Sequence, residues 1–183
     1  MEERWDIYDV NRQRTGKIIT RPAAWGQEAY HLIVHIGIFN PEGQMLIQRR
    51  CPQKHAWRNL WDISAGGSAL AGEDSWQAME RETFEELGLH LNLQNVRPHF
   101  SINYDRGFDD FYTVTDTVDL DSLSLQESEV AEVRWASLEE IREMERNHTF
   151  VPYFPGIIDL LFQVRNNYDG AICQTVGGIR HDA

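Results

Sequence analysis

Between Gly67 and Leu89 the chain reads GSALAGEDSWQAMERETFEELGL, and this segment constrains the fold more than any other. From Asp74 to Leu87 the apolar residues recur at helical spacing: Trp76, Met79, Phe84 and Leu87 form a broad stripe with Thr83 inside it. Asp74 and Ser75 supply capping oxygens for the first turn, and Gly88 supplies the stop. Residues three and four apart share one side of such a helix, so Glu82, Glu85 and Glu86 converge. The stripe packs on a core in this reading, and the glutamates project from the other side, into a cleft or water. Crowded carboxylates repel one another, and a divalent cation is the partner that neutralises them. That points to a metal-dependent enzyme of phosphate chemistry. A solvated acidic helix face is the plainer alternative for a charge run.

The spacing around the helix separates these alternatives. Gly67 is followed after five residues by Glu73, after seven more by Arg81-Glu82, and then by Glu85-Glu86 and Gly88-Leu89. This resembles the Nudix superfamily, whose box reads GX5EX7REUXEEXGU with U a bulky aliphatic residue. Only Thr83 departs from it, at the first U. So many fixed positions in one continuous segment make the resemblance specific. It implies an α/β Nudix fold, a mixed β-sheet sandwiched between α-helices. It also implies Mg2+-dependent cleavage of a diphosphate linked to another moiety, with Mn2+ as an alternative ion. The ligands so implied are Glu82, Glu85, Glu86 and the backbone carbonyl of Gly66. Arg81 resembles the box arginine that orients a glutamate by ion pairing, and Glu73 an auxiliary acid. Catalysis is then assigned to Glu82, Glu85 and Glu86, with a box glutamate or Glu129 as general base.

Upstream, QRRCPQKHAW places Arg49, Arg50 and Lys54 shortly before Trp57 and Trp61. Arginine grips phosphate through a planar fork and lysine as a point charge, so the trio could hold a diphosphate. The stretch from His31 to Trp61 is similar to the type I isopentenyl-diphosphate isomerase branch of the superfamily. That similarity implies diphosphate contacts for Arg50 and Lys54, and matches His31 to a metal-binding histidine. The isomerase cysteine, however, falls at Gly66, and a following metal-binding histidine falls at Ser68. Glycine cannot shuttle a proton at carbon, so hydrolysis is favoured over isomerisation, and His31 reads as a strand histidine with a structural hydrogen bond. An isomerase-like enzyme and a catalytically silent diphosphate-binding module are the alternatives. Trp57, Trp61, Tyr104, Phe108 and Tyr112 serve either a pocket or the core.

The 183 residues, 42% of them hydrophobic, suit one well-cored domain with small extensions. A net charge of -12 argues against a broad nucleic-acid or anionic-membrane surface. Cys51 and Cys173 make no disulfide framework and no CxxC site. The N-terminus MEERWDIYDV has no basic and apolar signal pattern, and no run reaches membrane-spanning length. A cytoplasmic protein acting on a small organic diphosphate is expected, with a homodimer as the family-based guess.

The organisation expected is an N-terminal β-hairpin extension over 1–28, a Nudix domain over 29–168 and a tail over 169–183. Strands are expected at Trp5–Val10, Lys17–Thr20, His31–Phe39, Met45–Gln48, Asn95–Tyr104, Phe111–Val118 and Glu129–Trp135. Ala65-Gly66-Gly67 reads as a turn before the acidic helix. Ser137 with Glu140 has capping-box form and opens a helix to about Arg146, and a last helix covers Gly156 to Val164.

Overall fold

The computed structural model describes residues 3–21 and 29–166. The connector read at Pro22–Gln27, the tail from Asp169 and Cys173 lie outside the described residues. Two strands, β1 (Arg4–Tyr8) and β2 (Arg14–Thr20), pair antiparallel in a sheet of their own. Among the described residues the main sheet has seven strands: β3 (His31–Phe39), β4 (Met45–Arg50), β5 (Trp61–Asp62), β6 (Ala65–Ser68), β7 (Phe100–Tyr104), β8 (Gly107–Thr115) and β9 (Val130–Ala136). Their order is β5-β4-β3-β8-β7, with β6 added to β3 and β9 to β4. β3 and β8 run parallel over their whole length while the other pairs are antiparallel, so the sheet is mixed.

Alternation along the strands gives this sheet two buried faces. Val34, Ile36, Ile38 and Leu46 pack with Ala78, Met79 and Leu87 of helix α1 (Ser75–Leu87). Phe39, Met45, Ile47 and Phe111 pack on the other side with Ile141 of α2 (Leu138–Arg146) and Ile158 and Leu161 of α3 (Ile157–Val164). The result is a mixed sheet between helices. Ser137 caps α2 reciprocally with Glu140, Ser137 N donating to Glu140 Oε2 at 2.8 Å. Gly88 ends α1 at φ 72°, its N–H bonded to Phe84 O at 2.8 Å. Among the described residues no helix is long and apolar enough to cross a membrane.

The hairpin is fastened to the main domain by several different interactions. Trp5 stacks on His31 at 4.8 Å, Ala71 N donates to Arg4 O at 2.7 Å, and Arg14 Nη2 meets Asp74 Oδ1 at 3.0 Å. Arg12 reaches past the hairpin turn to the fully buried Asp110 and donates to Ser101 Oγ at 3.1 Å.

Several boundaries differ from the sequence reading, each for a local reason. Residues 65–67 are strand rather than turn, because Ala65, Gly66 and Gly67 pair with Ile36, His35 and Val34. β4 runs on through Arg50, where it still pairs with β9. β7 starts only at Phe100, after a loop in which Asn95 takes φ 65°. β8 starts at Gly107 because its pairing with β3 begins there, and this draws Asp109 and Asp110 into the sheet.

The helix stripe also needs correcting. Met79, Thr83, Glu86 and Leu87 are buried, while Phe84 is 47% exposed and stacks on His90 at 4.3 Å. Counting three and four from Met79 and Thr83 leads to Glu86, whereas Phe84 lies round the helix from them. Glu86 therefore belongs to the packed face and not to an open acidic one.

Candidate active site

The box residues meet where β6, the loop after it and α1 come together. Arg81 is the hub. Its Nε and Nη2 donate to the two Glu73 oxygens at 2.7 and 3.0 Å, and Nη2 also reaches Ser68 O at 3.0 Å. Its Nη1 donates to Glu82 Oε1 and Glu85 Oε2, each at 2.9 Å. Burial opposes the Arg81 charge, but the bonds and charges of Glu73 and Glu82 outweigh it and raise its pKa further. Glu73 in turn accepts from Leu70 N at 2.8 Å, which ties the loop to the same guanidinium. One arginine thus fixes three of the four box acids.

Glu86 is the fourth, and it is held differently. It is 4% exposed, and its Oε2 accepts from Gln48 Nε2 at 3.0 Å and from Gly66 N at 3.1 Å. Burial, then the neighbouring Glu82 charge, pushes its carboxyl up to about 8, against the lowering effect of those bonds and of Lys54. Burial also raises the Glu82 carboxyl, with Arg81 working against it.

Glycine is required beside these acids. A Cβ on Gly67 would stand 2.3 Å from Glu82 Oε1, and one on Gly66 would stand 2.7 Å from His35 Nδ1 and 2.9 Å from Val34 O.

Glu82, Glu85, Glu86 and the Gly66 carbonyl offer only hard oxygen donors, which suits Mg2+. The raised carboxyls of Glu82 and Glu86 are a second mark of fit, since a cation would relieve the crowding that raises them. Among the described residues, however, no three His, Cys, Asp or Glu side chains already stand grouped to hold a metal ion. Glu82 and Glu85 instead turn to Arg81, so a cation would compete with that guanidinium for them.

The basic trio divides. Arg50 Nη1 donates to Asp62 Oδ2 at 2.9 Å, and Tyr153 donates to Asp62 Oδ1 at 2.7 Å. Lys54 is ion-paired with Glu129, and both Glu86 and Glu82 act on its charge; burial, then Arg50, lowers its pKa. Arg50 shares its strand face with Gln48, and hence with Glu86. Arg49 is turned to the opposite face, where it pairs with Glu132 across β9 at 2.8 Å. The structure does not bring it to Arg50 and Lys54.

The Glu129 backbone is tied to the site: Cys51 N donates to Glu129 O at 2.8 Å, and Glu129 N donates at 2.8 Å to the O of Gln126, whose own N donates to Glu86 O at 3.1 Å. His31 is a buried strand histidine whose Nδ1 lies 3.0 Å from Tyr104 Oη and 3.2 Å from Arg106 O. Phe108 and Tyr112 are core residues, and Trp57 is 52% exposed. Cys51 is a buried free thiol.

Two residues of this site escape sequence reading, Gln48 and Asp62. Each is buried and polar, and directly opposite the other across β4 and β5. The polar break in a strand beginning Met45-Leu46-Ile47 is the signal for Gln48. Asp62 has none, because its partners Arg50 and Tyr153 are remote in sequence.

A family model described as the NUDIX domain matches residues 29–154. The chain belongs to the Nudix family. An uncharacterized Nudix hydrolase of Listeria monocytogenes is 43% identical over 164 residues, covering 90% of this chain and 96% of that protein. An isopentenyl-diphosphate Delta-isomerase of Pectobacterium atrosepticum is 27% identical over 160 residues, covering 81% and 85% of the two chains. Among solved structures, DR0079 of Deinococcus radiodurans superposes with a TM-score of 0.69 at 23% identity, covering 87% of this chain and 97% of that one. The Nudix assignment makes this chain a hydrolase of phosphoanhydride bonds.

Proposed function

We propose that this Nudix protein is a Mg2+-dependent hydrolase that cleaves the diphosphate linkage of a nucleoside diphosphate derivative or similar organic diphosphate, with Mn2+ able to substitute. The observation that carries this reading is the buried Glu86 beside Glu82, two raised carboxyls adjoining the Gly66-Gly67 backbone. Glu82, Glu85, Glu86 and the Gly66 carbonyl would hold the ion. When bound, it supplies charge neutralisation on the phosphate oxygens and acidifies a coordinated water.

The chain's own groups do the rest. Arg50 and Lys54 grip the diphosphate, giving up Asp62 and Glu129 as their present partners. Lys54 gains most from that change, because burial already weighs against its charge. Glu129, freed from Lys54, can accept the proton of the attacking water as general base. Arg81 keeps Glu73, Glu82 and Glu85 oriented and touches no substrate. Arg49, committed to Glu132 on the opposite face, takes no part.

An isomerase-like reaction is disfavoured by residue 66. Any side chain there would crowd the His35 ring and the Val34 carbonyl. The test is 31P and 1H NMR on a panel of nucleoside diphosphate sugars, dinucleoside diphosphates and isoprenoid diphosphates. New phosphomonoester or orthophosphate signals support hydrolysis. Double-bond migration with the diphosphate intact would replace this reading, and tight binding without turnover would make the protein a binding module.

A further inference from the structure

Gln48 is 3% exposed in the middle of the sheet, yet neither the family box nor the diphosphate grip includes it. Its side chain faces α1, flanked in register by Asp62 on β5 and Val133 on β9. The amide is used at one end only. Nε2 donates to Glu86 Oε2 at 3.0 Å, while Oε1 is buried with no hydrogen-bond partner. Buried polar atoms are rarely left so, because the hydration they lose is not replaced.

The geometry at Glu86 explains why that cost is tolerated. Gln48 and Gly66 both donate to the same oxygen, Oε2, and Oε1 takes part in neither bond. Two donors on one oxygen fix the plane of the carboxylate and leave the other oxygen for a ligand. We infer that Gln48 is a positioning residue for the candidate metal centre: it holds Glu86 by Oε2 so that Oε1 meets the cation, and its own Oε1 accepts a hydrogen from water of the ion's hydration shell. This inference rests on the metal-dependent reading above. It adds a partner outside the ligand set, of the kind whose loss weakens metal affinity about 10- to 100-fold.

The test is a titration of the full chain with Mn2+, reading free ion by electron paramagnetic resonance, in wild type, Gln48→Met and Gln48→Asn. Methionine keeps the bulk and removes both polar atoms. Asparagine keeps the amide but withdraws it from Glu86, and decides the matter if the methionine variant does not fold. Thr113→Val, which removes a buried hydroxyl beside His99, is the control for a merely structural loss. Both Gln48 variants are expected to raise the Mn2+ Kd about 10- to 100-fold, with Thr113→Val unchanged. A Kd within twofold of wild type in the Gln48 variants overturns the inference alone. Absence of Mn2+ binding in wild type overturns it together with the metal-dependent reading.

Discussion

The Glu82 carboxylate occupies the space that a side chain on Gly67 would need, with Oε1 2.3 Å from where a Cβ would stand. The obstructing atoms are the tip of a flexible side chain, so the fold can yield without unravelling. Gly67→Ala should therefore keep its melting midpoint within a few degrees while losing turnover about 10-fold or more, as expected for a misplaced catalytic group. Unchanged kcat would show that the position of Glu82 does not set turnover, and a chain that no longer folds would show that the clash at Gly67 is not relieved by the Glu82 side chain.

Arg50 is paired with Asp62, and substrate phosphate would take that place. Gln in place of Arg50 keeps some bonding to Asp62 and loses the charge. Arg50→Gln should raise KM about 10-fold with kcat little altered, the size of one charge-assisted bond lost equally from ground and transition states. A loss confined to kcat would move Arg50 from binding to chemistry.

Glu86 couples stability to pH. Its carboxyl stands at about 8 in the fold against 4.5 ordinarily, so the folded protein keeps a proton that the unfolded chain releases. Between those two values the metal-free protein should lose stability as pH rises, by up to a few kcal/mol. Glu86→Gln should flatten that slope and make the metal-free protein more stable than wild type at pH 8, while abolishing turnover. Mg2+ should raise the wild-type midpoint more at pH 8 than at pH 5, because protons and metal compete for the same carboxylates. Urea titrations at both pH values check the slope. A midpoint that rises with pH in the same way for both proteins would contradict it.

Cys51 is buried and makes no part of the acid cluster. Cys51→Ser should leave kcat/KM within about threefold, in line with a substitution that removes no transition-state contact. Strong inactivation would bring thiol chemistry back into consideration.

Much of the fold is written in local patterns, and much of the site is not. The helix from Ser75 to Leu87 is marked by its caps, and α2 by Ser137 and Glu140. β6 is invisible because Ala65-Gly66-Gly67 has turn composition, and only pairing with β3 makes it strand. The box places its acids correctly in order, but periodicity around Phe84 hides the fact that Glu86 is packed inside. The basic trio looks uniform along the chain, and strand alternation sends Arg49 one way and Arg50 the other. Gln48 and Asp62 matter through partners tens of residues away, which no short window contains.

In the proposed reaction, the acids around Glu86 make a diphosphate bridge hydrolysable by water when a divalent ion is present. The direct measurement is turnover of an organic diphosphate in 18O-labelled water, with and without Mg2+, for wild type, Glu85→Gln and Glu86→Gln. The expected result is one 18O in one phosphate product, formed only with Mg2+ and only by wild type. Cleavage that persists in EDTA, or that survives in either glutamine variant, would contradict it.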